Sequence, residues 1–286
     1  MSYQILTDSG CDLSKEILSQ LGISAVPLFV NFRGQTREDS VDDGIQEIYE
    51  GLRAGEPAST SAINPTGWAA AMEEILAAGD DLLVITFSSG LSTTYQSAVI
   101  AAEELKETYP QRRIRVVDSL CASLGQGLLV WYACKKKQEG MSLSELAQWV
   151  EENRAHLCHW FTVDDLMHLK RGGRVSAATA LVGTMLNIKP VLHVDDEGHL
   201  ISKAKARGRK ASIEMLLDKA VQLGAGYDNS TMFICHGDCL ADAQYLEKRL
   251  KEVCGVKDVH IGYTGAVIGS HSGPGTLALF FLGEHR

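Results

Sequence analysis

Hydroxyl groups, glycines and one histidine are concentrated in three stretches where the pattern indicates that the backbone turns. The stretches are Ser88–Ser92, Ala58–Pro65 with Thr60 and Ser61, and Gly265–Thr276 with His271, Ser272 and Gly273. Hydroxyls and a ring nitrogen donate hydrogen bonds to anions, and glycine lets a backbone approach a ligand closely. The chemistry that these residue types indicate is the binding of an anionic head group.

The stretch at Ser88–Ser92 lies between two patterns. An apolar, β-branched run precedes it, which is typical of a buried strand. Beyond Gly90, apolar residues at three- and four-residue spacing from Leu91 predict a helix that begins with its first backbone amides free. Anions bind at such strand-to-helix turns in α/β sheets. Simple helix capping explains the same hydroxyls, so these residues alone leave both interpretations open.

Ser92 and His271 also allow a serine hydrolase acting on a lipid or ester. The nucleophile elbow requires Gly-x-Ser-x-Gly, but Gly90 to Thr94 has a threonine where the second glycine belongs. Neither a phosphate loop nor a dinucleotide-binding glycine motif is present. A binding protein without catalytic residues is therefore favoured, and the hydrolase is the alternative.

A metal site has little support in the sequence. Asp8 and Asp12 follow the first predicted strand, where carboxylates most often cap the next helix. Cys235 and Cys239 form the only close cysteine pair, and no second pair stands at zinc-ligand spacing. We therefore expect no metal and no cofactor.

The amino-acid composition limits the kinds of partner and the cellular compartment that we expect for this protein. A formal net charge of -9 argues against nucleic acid, because such binding needs a basic surface. Seven scattered cysteines and no recognisable leader indicate a reduced, cytoplasmic setting. The apolar runs are shorter than the ~20 residues of a membrane-spanning helix.

The order of elements predicts a two-domain α/β fold. Strands alternate with helices through residues 1–156, which indicates a doubly wound, mostly parallel sheet with an irregular excursion at residues 31–57. Ser24–Val30 reads as one strand of that sheet. In residues 157–286 a strand and a short helix are followed by a hairpin pattern at Ile188–Val194 and His199–Lys205, which indicates an α+β domain.

Several motifs resemble the DegV family of bacterial fatty-acid-binding proteins, over nearly the whole chain. They are Thr7-Asp8-Ser9 with Asp12-Leu13, Thr60-Ser61, Ser88–Ser92 with Tyr95–Ser97, Val117–Ser119, Leu169–Arg174, and Ile268-Gly269 with His271 and Gly273–Gly275. The chain departs from the family pattern at Ala62-Ile63, Thr93 and Ser272, but it keeps the hydroxyl and imidazole groups.

The resemblance implies a long-chain fatty acid, such as palmitate, stearate or oleate, held between the domains. Its carboxylate would be bound by hydroxyls and a histidine, and its acyl chain would lie in an apolar tunnel. The implied binding residues are Thr60, Ser61, Gly90, Leu91, Ser92, His271, Ser272 and Gly273.

The resemblance also implies a partner. Some members are the acyl-carrying subunit of a bacterial fatty acid kinase, whose separate ATP-binding subunit phosphorylates the carboxylate. Transient contact with an acyltransferase and with a membrane surface would follow. The basic cluster Lys170–Arg174 is a solvated turn in the simplest interpretation, but guanidinium groups align well with carboxylates and phosphates. We expect Arg171 and Arg174 to contact the kinase subunit.

Overall fold

A computed structural model describes residues 2–175 and 187–286 of the chain. The centre of the first half is a four-stranded parallel sheet in the order β2-β1-β6-β7. Its strands are β1 (Tyr3–Asp8), β2 (Ser24–Val26), β6 (Asp81–Thr86) and β7 (Ile114–Asp118).

Helices cover both faces of this sheet. Side chains of Leu82 and Val84 pack on one face, and those of Leu83 and Ile85 pack on the other, as expected for a strand whose side chains alternate. The prediction of a doubly wound sheet is confirmed. The helices are α3 (Pro65–Ala77) and α4 (Thr94–Thr108) on the first face, α5 (Leu124–Gln138) and α6 (Leu143–Asn153) on the second, and α1 (Lys15–Leu21) after β1.

The irregular segment predicted at residues 31–57 contains one helix and strands of a small antiparallel sheet. Its order is β4-β3-β5, with β3 (Phe29–Phe32), β4 (Gln35–Glu38) and β5 (Ala58–Ser61), and α2 (Ile45–Arg53) lies between β4 and β5 in the chain.

Two predictions in this region were wrong. Ser24–Val30 is two strands, because Val26 pairs with Asp8 in the parallel sheet whereas Phe29 pairs with Ser61 in the small one. Pro27 stands at the break and has no backbone N–H for a ladder. The expected loop at residues 58–65 starts as strand β5, since its polar residues pair with β3.

The second half forms a six-stranded mixed sheet in the order β10-β9-β8-β13-β11-β12. Its strands are β8 (Leu157–Thr162), β9 (Ile188–Val194), β10 (Leu200–Arg207), β11 (Thr231–His236), β12 (Asp258–Tyr263) and β13 (Leu277–Leu282). The predicted hairpin is the antiparallel pair β9-β10. The described helices are α7 (Met167–Arg171), α8 (Arg209–Leu223), α9 (Leu240–Cys254) and α10 (Ala266–Ser272).

The third turn-rich stretch was also expected to be a loop, and it contains helix α10 instead. Gly273, with φ of 82°, ends this helix, which explains one of the glycines. Residues 266–272 therefore present His271 from the last turn of a helix.

The two sheets meet at the hairpin between β9 and β10. The Ser88 hydroxyl donates to the Gly198 carbonyl oxygen at 2.9 Å. A Cβ at Gly90 would lie only 2.8 Å from the carbonyl oxygens of Glu197 and Gly198, so glycine allows this contact. The proposed domain boundary after residue 156 falls immediately before β8. Within the described residues, no helix has the length and apolar character to cross a membrane.

Candidate functional site

A cavity of about 470 Å³ lies between the two sheets. Phe87 and Ser89, just beyond the carboxyl end of β6, line the cavity. Strand β6 is one of the two strands between which the order of the parallel sheet reverses, and α/β proteins commonly bind ligands at such a point. Most of its wall is apolar, and the size is within the range of small-molecule sites. Its larger apolar residues are Leu28, Phe87, Leu91, Phe161, Leu169, Val194, Leu200, Val267, Ile268 and Phe280.

Two of the predicted head-group residues are in direct contact. Thr60 Oγ1 lies 2.7 Å from His271 Nε2. Thr60 is held by the pairing of β5 with Val30 in β3, and His271 is placed by α10. Burial, with a smaller contribution from the Arg174 charge, lowers the pKa of His271 to about 4. The imidazole is therefore neutral at pH 7, so each ring nitrogen is either a donor or an acceptor.

Ser272 supplies a hydroxyl that the protein leaves without a partner. The residue is 4% exposed and lines the cavity. Among the residues that the structure describes, nothing bonds its Oγ. A buried hydroxyl without a partner costs free energy, which a ligand oxygen in the cavity would offset.

Ser92 also lines the cavity, together with Ser61 and Leu91. The Ser92 hydroxyl lies 2.8 Å from Thr94 Oγ1 and accepts a hydrogen bond from the Thr94 backbone N–H at 3.3 Å. It therefore supports the first turn of α4, as the capping interpretation required. When Thr94 Oγ1 donates to Ser92, the Ser92 hydroxyl hydrogen is left to donate to a ligand.

The free amides expected at this turn are largely absent. The backbone N–H of Ser89 donates to Asp118, that of Gly90 to the Ser88 hydroxyl, and those of Leu91 and Ser92 to the Ser88 carbonyl. The helix begins at Thr94 rather than just after Gly90. Because the turn satisfies its own amides, side chains must provide the contacts to an anion.

Arg174 contacts the turn before α4 and lies close enough to His271 for its charge to act on the imidazole. Its Nε donates to the Leu91 carbonyl oxygen at 3.3 Å, and its charge contributes to the low pKa of His271. Partial burial lowers the pKa of Arg174 itself. The sequence was interpreted as placing Arg174 on a partner surface, but the structure places it in the cavity wall. Arg171 is exposed and lies outside this cavity.

Glycines allow α7 and α10 to approach each other. A Cβ at Gly172 would lie 2.2 Å from His271 Nδ1, and a Cβ at Gly273 would lie 2.5 Å from the His168 ring. Gly273 and Gly90 therefore shape the surroundings, and neither lines the cavity. Their predicted contact with a ligand stays a prediction.

Sequence reasoning missed several polar residues of the wall. Ser89, Thr93, Gln96 and Thr276 lie within or beside the turn-rich stretches and could have been found from them. The others come from distant segments and gave no local signal. They are Ser123, His159, Cys235 and Thr264.

The inner polar residues are bonded to the protein. His159 Nδ1 lies 2.9 Å from the Leu157 carbonyl oxygen, and its Nε2 accepts from the Ala122 amide at 3.4 Å. Burial holds the pKa of His159 well below its ordinary value. The Ser123 hydroxyl donates to Asp12. This part of the wall is compatible with an apolar chain because its polar groups are already paired.

Buried carboxylates lie behind the cavity. Asp8 accepts hydrogen bonds from the backbone N–H of Gly10 at 3.0 Å and of Phe87 at 2.7 Å. Burial raises the pKa of Asp8 to about 7 and that of Asp39 to about 6. The capping predicted for Asp8 is observed, at the short 3₁₀ helix 9–11. Helix α1 is capped by Ser14 instead of Asp12. The described residues contain no His, Cys, Asp and Glu cluster suited to a metal ion.

The arrangement does not form a hydrolase pair. His271 Nε2 bonds Thr60, and the Ser92 hydroxyl bonds Thr94. A serine nucleophile needs its base within hydrogen-bond reach. The fold and the site define an α/β protein with a largely apolar cavity that both halves of the chain line, and the wall of this cavity includes hydroxyls and a neutral imidazole.

Comparison with known proteins supports that class. The sequence model described as "Uncharacterised protein, DegV family" matches residues 2–284. The chain belongs to the DegV family. A DegV domain-containing protein of Clostridium perfringens is 46% identical over 286 residues, covering 99% of this chain and 98% of the relative.

Two solved structures share the fold. A DegV family protein from Thermus thermophilus, described by its fatty acid binding, has a TM-score of 0.89 and 33% identity, covering 99% of this chain and 100% of its own. The Streptococcus pneumoniae Fatty Acid Kinase B3 protein, loaded with linoleic acid, has a TM-score of 0.85 and 25% identity at the same coverage. The predicted family and fold class are confirmed.

Proposed function

We propose that this protein binds a long-chain fatty acid and presents its carboxylate to a separate ATP-binding kinase subunit. The observation that carries the proposal is the 470 Å³ cavity, whose apolar wall ends at the Thr60–His271 pair and at the unpartnered Ser272 hydroxyl. The carboxylate is bound by Thr60, Ser61, Ser92 and His271, with Ser272 as an added donor. The domains 1–156 and 157–286 enclose the ligand.

The energetics favour such a ligand. Each buried CH₂ contributes ~0.8 kcal/mol, so the chain of palmitate, stearate or oleate supplies most of the affinity. Hydrogen bonds to a charged group are worth roughly 1.5–3 kcal/mol each, which offsets the dehydration of the carboxylate. Arg174 adds a positive charge near His271. No cofactor is required for this role.

Presentation, rather than catalysis, suits the side chains. His271 is neutral, and among the residues that the structure describes no base bonds the Ser92 hydroxyl, so the protein holds a carboxylate without activating a nucleophile of its own. Transfer requires a carboxylate oxygen to bond to the γ-phosphorus of ATP while the bond to the ADP oxygen breaks, which the kinase subunit supplies. Arg171, exposed beside the cavity, is proposed to contact that subunit. An acyltransferase and a membrane surface are proposed as transient partners in the cytoplasm.

Native mass spectrometry of the purified protein, before and after lipid extraction, tests the binding. A mass increment of one long-chain acid, lost on extraction and regained on adding palmitate, is expected. Absence of both co-purified and added acid would overturn the proposal. Acyl phosphate formation with the cognate kinase and ATP then tests presentation, and a protein that binds palmitate but is never phosphorylated would limit the function to binding.

A further inference from the structure

The Arg286 side chain is buried and uses all of its N–H donors. It is 6% exposed. Its Nη1 donates to the carbonyl oxygens of Leu120 at 2.5 Å and Asp195 at 3.0 Å. Its Nη2 donates to the carbonyl oxygens of Ser119 at 3.3 Å and Arg154 at 2.7 Å, and its Nε donates to that of Arg154 at 3.0 Å. Backbone carbonyl oxygens therefore stabilise this buried charge.

The carbonyls that Arg286 contacts belong to three segments, from both halves of the chain. Residues 119–120 follow β7 of the parallel sheet, and Arg154 ends α6. Asp195 begins the turn of the β9-β10 hairpin. Together with the Ser88 hydroxyl, the guanidinium joins this hairpin to the parallel sheet.

The loop that follows β7 has a backbone that needs support. Leu120 has a φ of 51° and Ser123 has a φ of 55°, in the left-handed region that residues with a Cβ rarely adopt. Such a backbone persists only where its surroundings hold it. The Leu120 carbonyl accepts from Arg286, and the Leu120 N–H donates to the Asp118 carboxylate at 3.0 Å. Because Ala122 and Ser123 of this loop line the fatty-acid cavity, support for the loop is support for the wall.

The hairpin supplies another part of the same wall. Val194 and Leu200, on either side of its turn, line the cavity, and Arg286 bonds the carbonyl of Asp195, the neighbour of Val194. The guanidinium also acts on His159, which lines the cavity too. Burial, with a smaller contribution from the Arg286 charge, holds the pKa of His159 well below its ordinary value. One side chain therefore supports wall segments from both halves of the chain.

We propose that Arg286 is a positioning residue that holds the hairpin and the loop after β7 in their ligand-binding arrangement before a fatty acid enters. This inference rests on the proposed function. A wall that is already ordered in the free protein saves the ligand the cost of ordering it. Without the guanidinium, the hydrogen bonds that join these segments are lost, and the acyl chain must order the wall when it binds. The affinity lost in this way appears mainly as faster release.

The test compares palmitate binding by variants of the lipid-extracted full chain, using calorimetry. Arg286→Ala removes every donor, and Arg286→Lys keeps the charge but has fewer donors in a different geometry. Asn229→Ala is the matched control. The Asn229 side chain bonds backbone groups of Leu282 and Gly224 and does not line the cavity, so its removal should lower the melting temperature without altering the wall.

We expect Arg286→Ala to weaken palmitate binding about tenfold, which corresponds to the loss of one charge-assisted contact. Arg286→Lys should recover part of this loss, and Asn229→Ala should bind within about twofold of wild type. Unchanged affinity of Arg286→Ala, or an equal loss in Asn229→Ala, would overturn the inference. If Arg286→Ala does not fold, the same comparison is made with Arg286→Lys, for which a loss of about threefold is expected.

Hydrogen exchange separates positioning from a general loss of stability. The backbone N–H of Asp195 donates to the His199 carbonyl at 2.9 Å, and that of Gly198 donates to the Asp195 carbonyl at 3.0 Å. In wild type we expect these amides to be protected with or without palmitate. In Arg286→Ala or Arg286→Lys they should exchange faster without palmitate and regain protection when it binds.

Fast exchange of the hairpin amides in wild type without palmitate would show that the wall is not ordered in advance, and would overturn the inference. Exchange that is equally slow in wild type and in the Arg286 variants would also overturn it. Failure of palmitate to bind wild type would overturn the proposed function instead, while exchange at the hairpin would still show whether Arg286 holds it.

Discussion

Thr60 Oγ1 and His271 Nε2 lie 2.7 Å apart, although 211 positions separate them in the chain. The contact joins strand β5 of the first half to helix α10 of the second. Both residues also line the cavity between the two halves of the chain. The predicted head-group residues therefore meet only because the first half packs against the second.

Thr60→Val tests this pair while keeping the side-chain volume. The variant loses the hydrogen bond to His271 and one donor to the carboxylate, so fatty-acid affinity should fall about tenfold, measured by calorimetry with palmitate. Thr108→Val, at the exposed end of α4, is the control and should bind as wild type. Unchanged affinity of Thr60→Val in a folded protein would remove Thr60 from the head-group site.

Ser272 and Ser92 should respond differently to removal of a hydroxyl. Ser272→Ala removes a buried hydroxyl without a protein partner, so thermal stability should be unchanged or higher while palmitate affinity falls several-fold. Ser92→Ala also removes a bond to the Thr94 amide, and should cost about 1 kcal/mol of stability. Calorimetric unfolding and binding distinguish the two, and equal effects of both variants on stability would contradict this account.

Gly90→Ala should push the turn after β6 away from the β9-β10 hairpin. The new Cβ would lie 2.8 Å from two backbone oxygens of the hairpin, and backbone cannot move aside cheaply. We expect a loss of about 1–3 kcal/mol in the free energy of unfolding and weaker palmitate binding. Gly67→Ala in α3 is the control, since its Cβ would approach neighbouring side-chain atoms no closer than 3.4 Å. A normal melting temperature for Gly90→Ala would show that the hairpin does not press on this turn.

Acid should destabilise the protein in part through His193. Its ring packs on Trp160 at 5.0 Å, it is 6% exposed, and burial lowers its pKa to about 4 from 6.5. Between pH 6.5 and 4 the unfolded chain binds a proton that the folded protein does not, so stability falls as pH falls.

His193→Phe removes this titration and keeps an aromatic ring against Trp160. Relative to wild type, the variant should retain about 2 kcal/mol more of its pH 8 stability at pH 5. Urea unfolding at both pH values gives the difference. The same wild-type-to-variant difference at pH 5 and at pH 8 would contradict the assignment.

Ala278 offers a test of the acyl tunnel. It lines the cavity on β13, opposite Phe161 in the sheet register. Ala278→Phe should fill part of the cavity and reduce affinity for stearate more than for laurate, since each excluded CH₂ forfeits ~0.8 kcal/mol. Ala278→Gly is the comparison, because it adds space without blocking the chain. An equal loss for both acids would place the acyl chain elsewhere.

The local sequence was enough to predict the parallel strands and the helices between them. The parallel strands, with side chains that alternate between two apolar faces, could be predicted because the alternation of strands and helices leaves few topologies. The spacing of Ser142 and Glu145 predicts a capping box before a helix, and this box is present at the start of α6. The hydroxyl-rich and glycine-rich stretches contain Thr60, Ser61, Ser92, His271 and Ser272, which all line one cavity, and their contact with a ligand stays a prediction.

Tertiary structure decided what no local pattern carries. Residues 59–61 are polar, and they form a strand only because β3 offers partners. The Ser88 carbonyl and hydroxyl oxygens accept hydrogen bonds from backbone amides that were expected to be free. Side chains must therefore provide the hydrogen bonds to an anion. Arg174 reads as part of a basic surface cluster, yet its guanidinium reaches the Leu91 carbonyl 83 positions away. Hydrogen bonding and burial depend on contacts between distant segments, so the cavity wall and the charge of its groups follow from the packed fold.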